Sequence, residues 1–139
     1  MSSVEFGNGN RHELARLGPT IDAVVTPHHG NQTALRRFPA LIDTGASETC
    51  IDAELAISLD LPAVDRQLIS TSLGQDYILR YLARIELPDL NVGKVGSVPG
   101  VHLSEGGQYH RLLIGRDLLQ DMVLAYDGPV GIGSLTIRL

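Results

Sequence analysis

Asp43 is the residue of this 139-residue chain whose position most needs a chemical explanation. The stretch ALIDTGASETC, residues 40–50, runs from apolar residues straight into this acid and then into Thr44 and Gly45. A carboxylate at the end of a buried strand costs free energy unless another group pairs with it or uses it. Asp43 is therefore a candidate for general acid–base chemistry, and the alternative is an ordinary acid at a strand-to-turn junction.

Other side chains that could take part in chemistry have no suitable catalytic or metal-binding partner at a recognisable spacing in the sequence. Cys50 is the single cysteine and has no matched His nearby, so we interpret it as a small buried residue and not as a thiol nucleophile. The five His residues show no spacing typical of zinc ligands. The sequence therefore predicts no metal site and no cofactor.

A second motif lies 72 positions downstream, counted from Asp43 to Gly115. The stretch RLLIGRD is again an apolar run that breaks sharply at a glycine and an acid, as PALIDTG does. Two similar halves folded about a local pseudo-dyad would produce this echo.

Short strands are predicted on both sides of these motifs. Residues 76–88 alternate apolar and polar side chains and follow residues 64–73 across Gly74, which predicts a hairpin. Asp52 is a plausible N-cap of one short helix that ends before Pro62. The whole pattern predicts an all-β protein with eight or nine short strands and one or two short helices. The other predicted elements are strands over 19–27, 33–43, around 98–103, from 109 into Gly115, after residue 121 and over 130–139, with a helical turn over 116–121.

Composition limits the classes of partner. Hydrophobic residues make up 43% and charged residues 19% of the chain, which favours one ordinary globular domain. A net charge of −5 argues against nucleic acid, and no apolar run approaches membrane-spanning length. The lone cysteine and the lack of a secretory pattern at the start favour a cytoplasmic location. Residues 1–17 are polar and contain Gly and Asn, so we expect a flexible N-terminal arm before a domain over 18–139.

LIDTGAS, followed by a hairpin and then by LLIGRDLL, resembles the retroviral-type (retropepsin-like) aspartic proteases over roughly residues 19–139. The resemblance implies a single-domain, closed or partly open β-barrel with endopeptidase activity. Two carboxylates share a proton and activate a water in this family. Because the chain has one DTG, the second Asp43 must come from a symmetry mate, which implies a homodimer with its active site on the two-fold axis and a peptide or protein substrate.

The resemblance also implies roles for individual residues. Thr44 would hydrogen-bond across the dyad, and Gly45 would let the backbone approach the substrate. Arg116 would bond Ser47, Glu48 or another partner, because viral relatives carry an acid where this chain has Ser47. The remaining implied site residues are Ala46 and Ser47 in the active-site loop, Leu73, Gly74 and Gln75 in a flap over the substrate, and Leu113, Ile114, Gly115, Arg116 and Asp117 in a structural motif beside the site.

Two alternatives stay open at this point. The chain could be a catalytically silent dimeric module that binds peptides or acts as a scaffold, although the intact Asp43-Thr44-Gly45 favours an enzyme. It could also be a protease that acts only on its own precursor, with residues 1–17 as the cleavable segment.

Overall fold

The computed structural model describes residues 2–27 and 36–138, and strands dominate this part of the chain. The described residues form ten strands and three helices, slightly more of each than the sequence predicts. In chain order they are β1 (Ser3–Phe6), α1 (Arg11–Leu17), β2 (Thr20–Thr26), β3 (Arg37–Ile42), β4 (Cys50–Asp52), α2 (Ala53–Ser58), β5 (Ala63–Thr71), β6 (Gly74–Leu87), β7 (Val92–Val101), β8 (Leu112–Ile114), α3 (Arg116–Leu119), β9 (Met122–Asp127) and β10 (Ile132–Ile137).

The strands form two sheets. The larger has the order β2-β3-β8-β4-β7-β6-β5, and the smaller has the order β1-β10-β9. An additional pairing joins β2 to β6. Strand pairing therefore runs from β2 through β3, β8, β4, β7 and β6 back to β2, and β5 lies outside this ring. The predicted predominance of strands is confirmed, and the closed or partly open barrel stays a prediction.

One hydrophobic cluster connects the two sheets. Phe6 and Leu135 of the smaller sheet belong to the same buried cluster as Ile51 and Ile85 of the larger sheet. Aliphatic side chains fill most of this cluster, since the chain has few aromatic residues. The two sheets therefore share one core, which continuous burial of apolar surface stabilises.

The N-terminal segment differs from the flexible arm that the sequence predicts. β1 pairs with β10 from Ser3↔Thr136 to Phe6↔Gly133, and the Asn10 side chain accepts a hydrogen bond from Glu13 N at 3.1 Å to cap α1. Leu14 is 1% exposed. The prediction is wrong for this segment because its stabilising partner, β10, lies at the other end of the chain and leaves no local signal.

The central elements follow the sequence prediction closely. β2 lies within the predicted 19–27, Asp52 caps α2, and β5 and β6 form the predicted hairpin. β7 begins six residues before the predicted strand around 98–103. The sequence did not indicate this first part, because Gly93 and Gly96 interrupt the alternation of apolar and polar side chains. Residues 28–35, including the predicted turn and the start of the second strand, lie outside the described residues.

Within the described ranges, none of the helices is both long and apolar enough to cross a membrane.

Candidate active site

Strand pairing brings the two sequence motifs side by side. β3 and β8 run parallel with Ile42 opposite Ile114, and Asp43 N donates to Ile114 O at 2.9 Å. Asp43 leaves β3 at the same edge where Gly115 leaves β8. Two positions that are 72 residues apart in the chain are thereby adjacent in space.

The loop after β3 folds tightly around its own acid. Gly45 N donates to Asp43 Oδ1 at 3.0 Å, and Ala46 N donates to the Asp43 carbonyl at 3.2 Å. Asp43 is half-buried, whereas Thr44 and Gly45 are exposed. The loop therefore holds the carboxylate in a defined position and presents its next two residues at the surface.

Arg116 fastens this loop from the neighbouring strand end. Its Nη1 donates to the Thr44 carbonyl at 2.7 Å, and its backbone N donates to the Ala46 carbonyl at 2.8 Å. Of the partners that the sequence leaves open for Arg116, the structure selects a backbone carbonyl instead of Ser47 or Glu48. Ser47 itself is exposed.

Asp117 anchors the far end of the loop through Thr49. It accepts hydrogen bonds from Thr49 N at 3.0 Å and Thr49 Oγ1 at 2.7 Å, and Lys94 Nζ lies 2.9 Å from its other oxygen. Thr49 Oγ1 in turn accepts from Gly115 N at 3.1 Å. Burial raises the pKa of Asp117, but the hydrogen bonds from Lys94 and Thr49 outweigh it, so the pKa lies below the usual Asp value.

Glu48 is bound by an arginine of the hairpin. Arg80 on β6 contacts both Glu48 oxygens, at 3.2 Å from Nη1 and 2.5 Å from Nη2. The hydrogen bond from Arg80 holds the pKa of Glu48 below its usual range, although partial burial opposes this shift. The loop is therefore bonded on one side to the Gly115–Asp117 motif and on the other to the hairpin.

Sequence reasoning missed three of these residues: Thr49, Arg80 and Lys94. A signal for Arg80 exists, because its neighbours Ile78 and Leu82 place apolar side chains on an otherwise polar strand face, which indicates that the face is covered. Thr49 and Lys94 carry no comparable signal, since their partner Asp117 is distant in the sequence.

The predicted flap residues lie at the exposed end of the β5–β6 hairpin. Ser72 and Leu73 form the turn, and Gly74, predicted as the tip, is the first residue of β6 with φ +117°. Thr71 Oγ1 accepts from Leu73 N at 3.2 Å and donates to the Gly74 carbonyl at 3.0 Å. Gln75 follows on the return strand and is exposed as well.

Cys50 lies beside the loop but lacks the character of a nucleophile. Burial, with a smaller contribution from Glu48, raises the pKa of Cys50 to about 11, so the thiol is neutral at ordinary pH. Its Sγ donates to the Glu48 carbonyl at 3.3 Å. Across the described ranges, no three His, Cys, Asp or Glu side chains lie together as a metal site would require.

A comparison with models of protein families identifies the family of this chain. The model of the family described as "gag-polyprotein putative aspartyl protease" matches residues 31–121, close to two thirds of the chain. A comparison with curated protein sequences finds no match. Similar solved structures include the solution structure of Simian Foamy Virus (mac) protease, which is 18% identical, covers 70% of this chain and 88% of that chain, and has a TM-score of 0.48. Because the family match spans more than half of the chain and contains both motifs, the chain belongs to the retroviral-type (retropepsin-like) aspartic protease family.

Proposed function

We propose that the chain is an aspartic endopeptidase whose catalytic pair consists of Asp43 from two identical subunits. The observation that carries this proposal is the environment of the Asp43 carboxylate. It is half-buried, it accepts a hydrogen bond from Gly45 N, and no cation among the described residues forms an ion pair with it. The structural acids near the site are satisfied more fully: Glu48 and Asp117 pair with cations, and Asp52 accepts hydrogen bonds from three backbone N–H groups.

The proposed mechanism needs one proton shared between the two carboxylates. The ionised Asp43 removes a proton from a water molecule, which attacks the carbonyl carbon of the scissile peptide bond. The protonated Asp43 of the second subunit donates a hydrogen bond to the carbonyl oxygen as negative charge develops on it. The first Asp43 then passes the proton that it took from water to the leaving nitrogen as the C–N bond breaks, so the pair again holds one shared proton.

An apolar groove beside the Asp43 loop supports a second copy of this chain as the source of the other carboxylate. Thr44 and Arg116 line a groove whose remaining walls are almost entirely apolar and come from Leu119, Met122, Leu124 and Leu135, with Gln120 as the exception. Bringing two Asp43 loops together would cover this groove, and apolar area removed from water favours association.

The catalytically silent binding module is the second candidate. It would need a groove for peptide but no carboxylate held apart from cations, so the environment of Asp43 favours the enzyme. The self-processing alternative has less support. It was based on a loose cleavable arm at residues 1–17, whereas β1 and α1 are packed into the protein body.

Replacing Asp43 with Asn tests the proposal. The variant keeps the size of the side chain and removes the base, so we expect a folded protein whose cleavage of a denatured protein mixture in mild acid falls by a factor of about 10²–10⁴ or more. Binding of a transition-state-mimic inhibitor of aspartic proteases should weaken in parallel. An Asp43→Asn variant that cleaves as well as the parent contradicts the assignment.

A mixing experiment with the same variant tests the two-fold site. Excess Asp43→Asn subunits added to the active protein should lower its activity towards zero, because subunits exchange into mixed dimers that hold one carboxylate. Activity that is unchanged by excess variant, after time for exchange, would mean that each chain works alone. Inhibitor binding without any cleavage by the parent would favour the binding module.

A further inference from the structure

Arg80 occupies the position where the β5–β6 hairpin loses its third strand. β6 pairs with β7 from Arg80↔Pro99 to Leu87↔Val92, whereas residues 74–79 pair with β5 alone. The hairpin beyond Arg80 is therefore a two-stranded ribbon, defined here as residues 66–71 and 74–79. Isolated two-stranded ribbons are marginally stable in water, so what holds the base of this ribbon decides how it is oriented.

The guanidinium group of Arg80 has an acceptor for each of its five N–H bonds. Nη1 donates to Glu48 and, at 2.7 Å, to Gln67 Oε1. Nη2 donates to Glu48 and, at 3.1 Å, to the Ser97 carbonyl, and Nε donates to Ser97 Oγ at 3.2 Å. The side chain is 17% exposed. Full use of all five donors makes this a specific junction and not an incidental surface contact.

The junction connects an anchored segment of the chain to the two strands of the ribbon. Glu48 directly precedes Thr49, whose backbone and hydroxyl are both bonded to Asp117, so the acceptor carboxylate stands on an anchored segment. Arg80 and Gln67 belong to the two strands from which the ribbon extends. The ion pair is thus the polar connection through which the loop containing Asp43 is joined to the ribbon.

We propose that Glu48 and Arg80 are positioning residues that set the orientation of the ribbon relative to the Asp43 loop. The catalytic consequence rests on the proposed function and on the role of substrate cover that the family resemblance implies for the end of the ribbon. Loss of either charge leaves the other partly buried and unpaired, and the ribbon then samples orientations that no longer match the loop. We expect a local effect, because β2 pairs with β6 at residues 84–86, away from the ribbon, and β10 lies in the smaller sheet.

Hydrogen exchange of backbone amides tests the proposal without reference to cleavage. Glu48→Gln keeps the size of the side chain and removes its charge, and we expect exchange of the ribbon amides to accelerate about tenfold while amides of β2 and β10 keep their parental rates. The matched control is Asp22→Asn, which removes one partner of Arg37 in an exposed ion pair and should leave the ribbon unchanged. Equal ribbon exchange in Glu48→Gln and the parent, or a uniform acceleration over all strands, would overturn the proposal.

A reporter at the turn gives an independent measurement. The chain contains no Trp and Leu73 is 98% exposed, so Leu73→Trp provides a single indole, which can be excited apart from the four Tyr residues, at the end of the ribbon. In this background Glu48→Gln should shorten the rotational correlation time of the indole, and Arg80→Lys should do so to a lesser degree. Unchanged indole mobility in both variants would overturn the proposal.

Kinetics with a peptide substrate then connect the ion pair to the site. A positioning role predicts that Glu48→Gln raises KM about tenfold and changes kcat less, because the substrate is covered less well while the Asp43 pair is intact. If the parent cleaves nothing but Glu48→Gln still loosens the ribbon selectively, the proposed function fails and the positioning role stands.

Discussion

Single carboxylates in this protein accept hydrogen bonds from backbone N–H groups that have no partner within a strand or helix. Asp52, 1% exposed, accepts from Leu55 N at 3.3 Å to cap α2, and its other oxygen accepts from Leu103 N and Ser104 N at 3.2 and 3.1 Å. Burial raises the pKa of Asp52, but the hydrogen bonds from Ser104 and Leu103 outweigh it, so its pKa is lower than usual. Asp117 does the same for the segment after the Asp43 loop.

Gly115 illustrates how closely the two motifs pack. A Cβ built on this residue would lie 2.4 Å from the Glu48 carbonyl carbon and 2.8 Å from Thr49 N, and both are backbone atoms. Its φ of −92° is ordinary, so the requirement for glycine comes from space alone. The glycine of the second motif is therefore needed for the loop of the first to pass beside it.

Gly115→Ala should consequently destabilise the protein. We expect a loss of about 1–3 kcal/mol or more in the free energy of unfolding, because backbone must move to admit the methyl group. Urea denaturation measures this. Gly106→Ala is the matched control, since its added Cβ would lie no closer than 3.5 Å to the nearest atom and should change stability little. Equal stability of the two variants would show that the loop yields without cost.

At the scale of elements, the N-terminal strand and helix are part of the folded body. β1 completes the smaller sheet, and α1 places Leu14 in the core that both sheets share. Gly18 follows α1 with φ +74° and its N–H bonds to the Leu14 carbonyl, which ends the helix and turns the chain into β2. The protein is thus held together by contacts between the two ends of its chain.

Leu14→Ala measures this integration. The substitution should lower the free energy of unfolding by about 2–5 kcal/mol, as truncation of a fully buried leucine generally does. Leu73→Ala makes the same chemical change at a side chain that is 98% exposed and should stay within about 0.5 kcal/mol of the parent. If the two variants unfold at the same denaturant concentration, the first 17 residues do not contribute to the core.

At the scale of the whole molecule, several titrating groups favour the folded state at neutral pH. Burial, with a smaller effect of Arg111, lowers the pKa of His110, whose Nε2 lies 2.7 Å from Thr20 Oγ1. Asp52, Asp117 and Glu48 also have pKa values below their usual ones. In each case the unfolded chain takes up a proton at a higher pH than the folded protein does, so these contributions exist above the unfolded pKa and disappear as pH falls.

Stability should therefore decrease on acidification in two stages. The first begins near the usual His value of 6.5, and the second near the usual values of 4.5 for Glu and 3.8 for Asp. Denaturation series at a fixed protein concentration measure the trend, and His110→Gln should flatten the first stage while the second persists. Stability that is constant or rising between about pH 7 and pH 5 in the parent would contradict this prediction.

Local sequence patterns predicted much of the fold. Alternation predicted β6 and its hairpin, Asp52 predicted the start of α2, and the turn residues bounded β2. The family resemblance of LIDTGAS and LLIGRDLL implied that Gly115 lies near the Asp43 loop, and β3 pairs with β8 up to Ile42 and Ile114, the residues before Asp43 and Gly115. These features are accessible because the residues that determine them lie within one element or repeat a short motif.

Tertiary structure alone decided which side chains hold the Asp43 loop in place. Arg116 bonds the Thr44 carbonyl, Arg80 bonds Glu48, and the first strand pairs with the last. Each of these contacts joins residues that are 32 to 133 positions apart, and an ionic or strand partner at such a distance leaves no periodic trace in the chain. The sequence by itself therefore determined where the acid, the glycines and the hairpin lie along the chain. Long-range packing determined the partners of these groups, because a charge or a strand edge bonds to whichever group the completed fold places within reach.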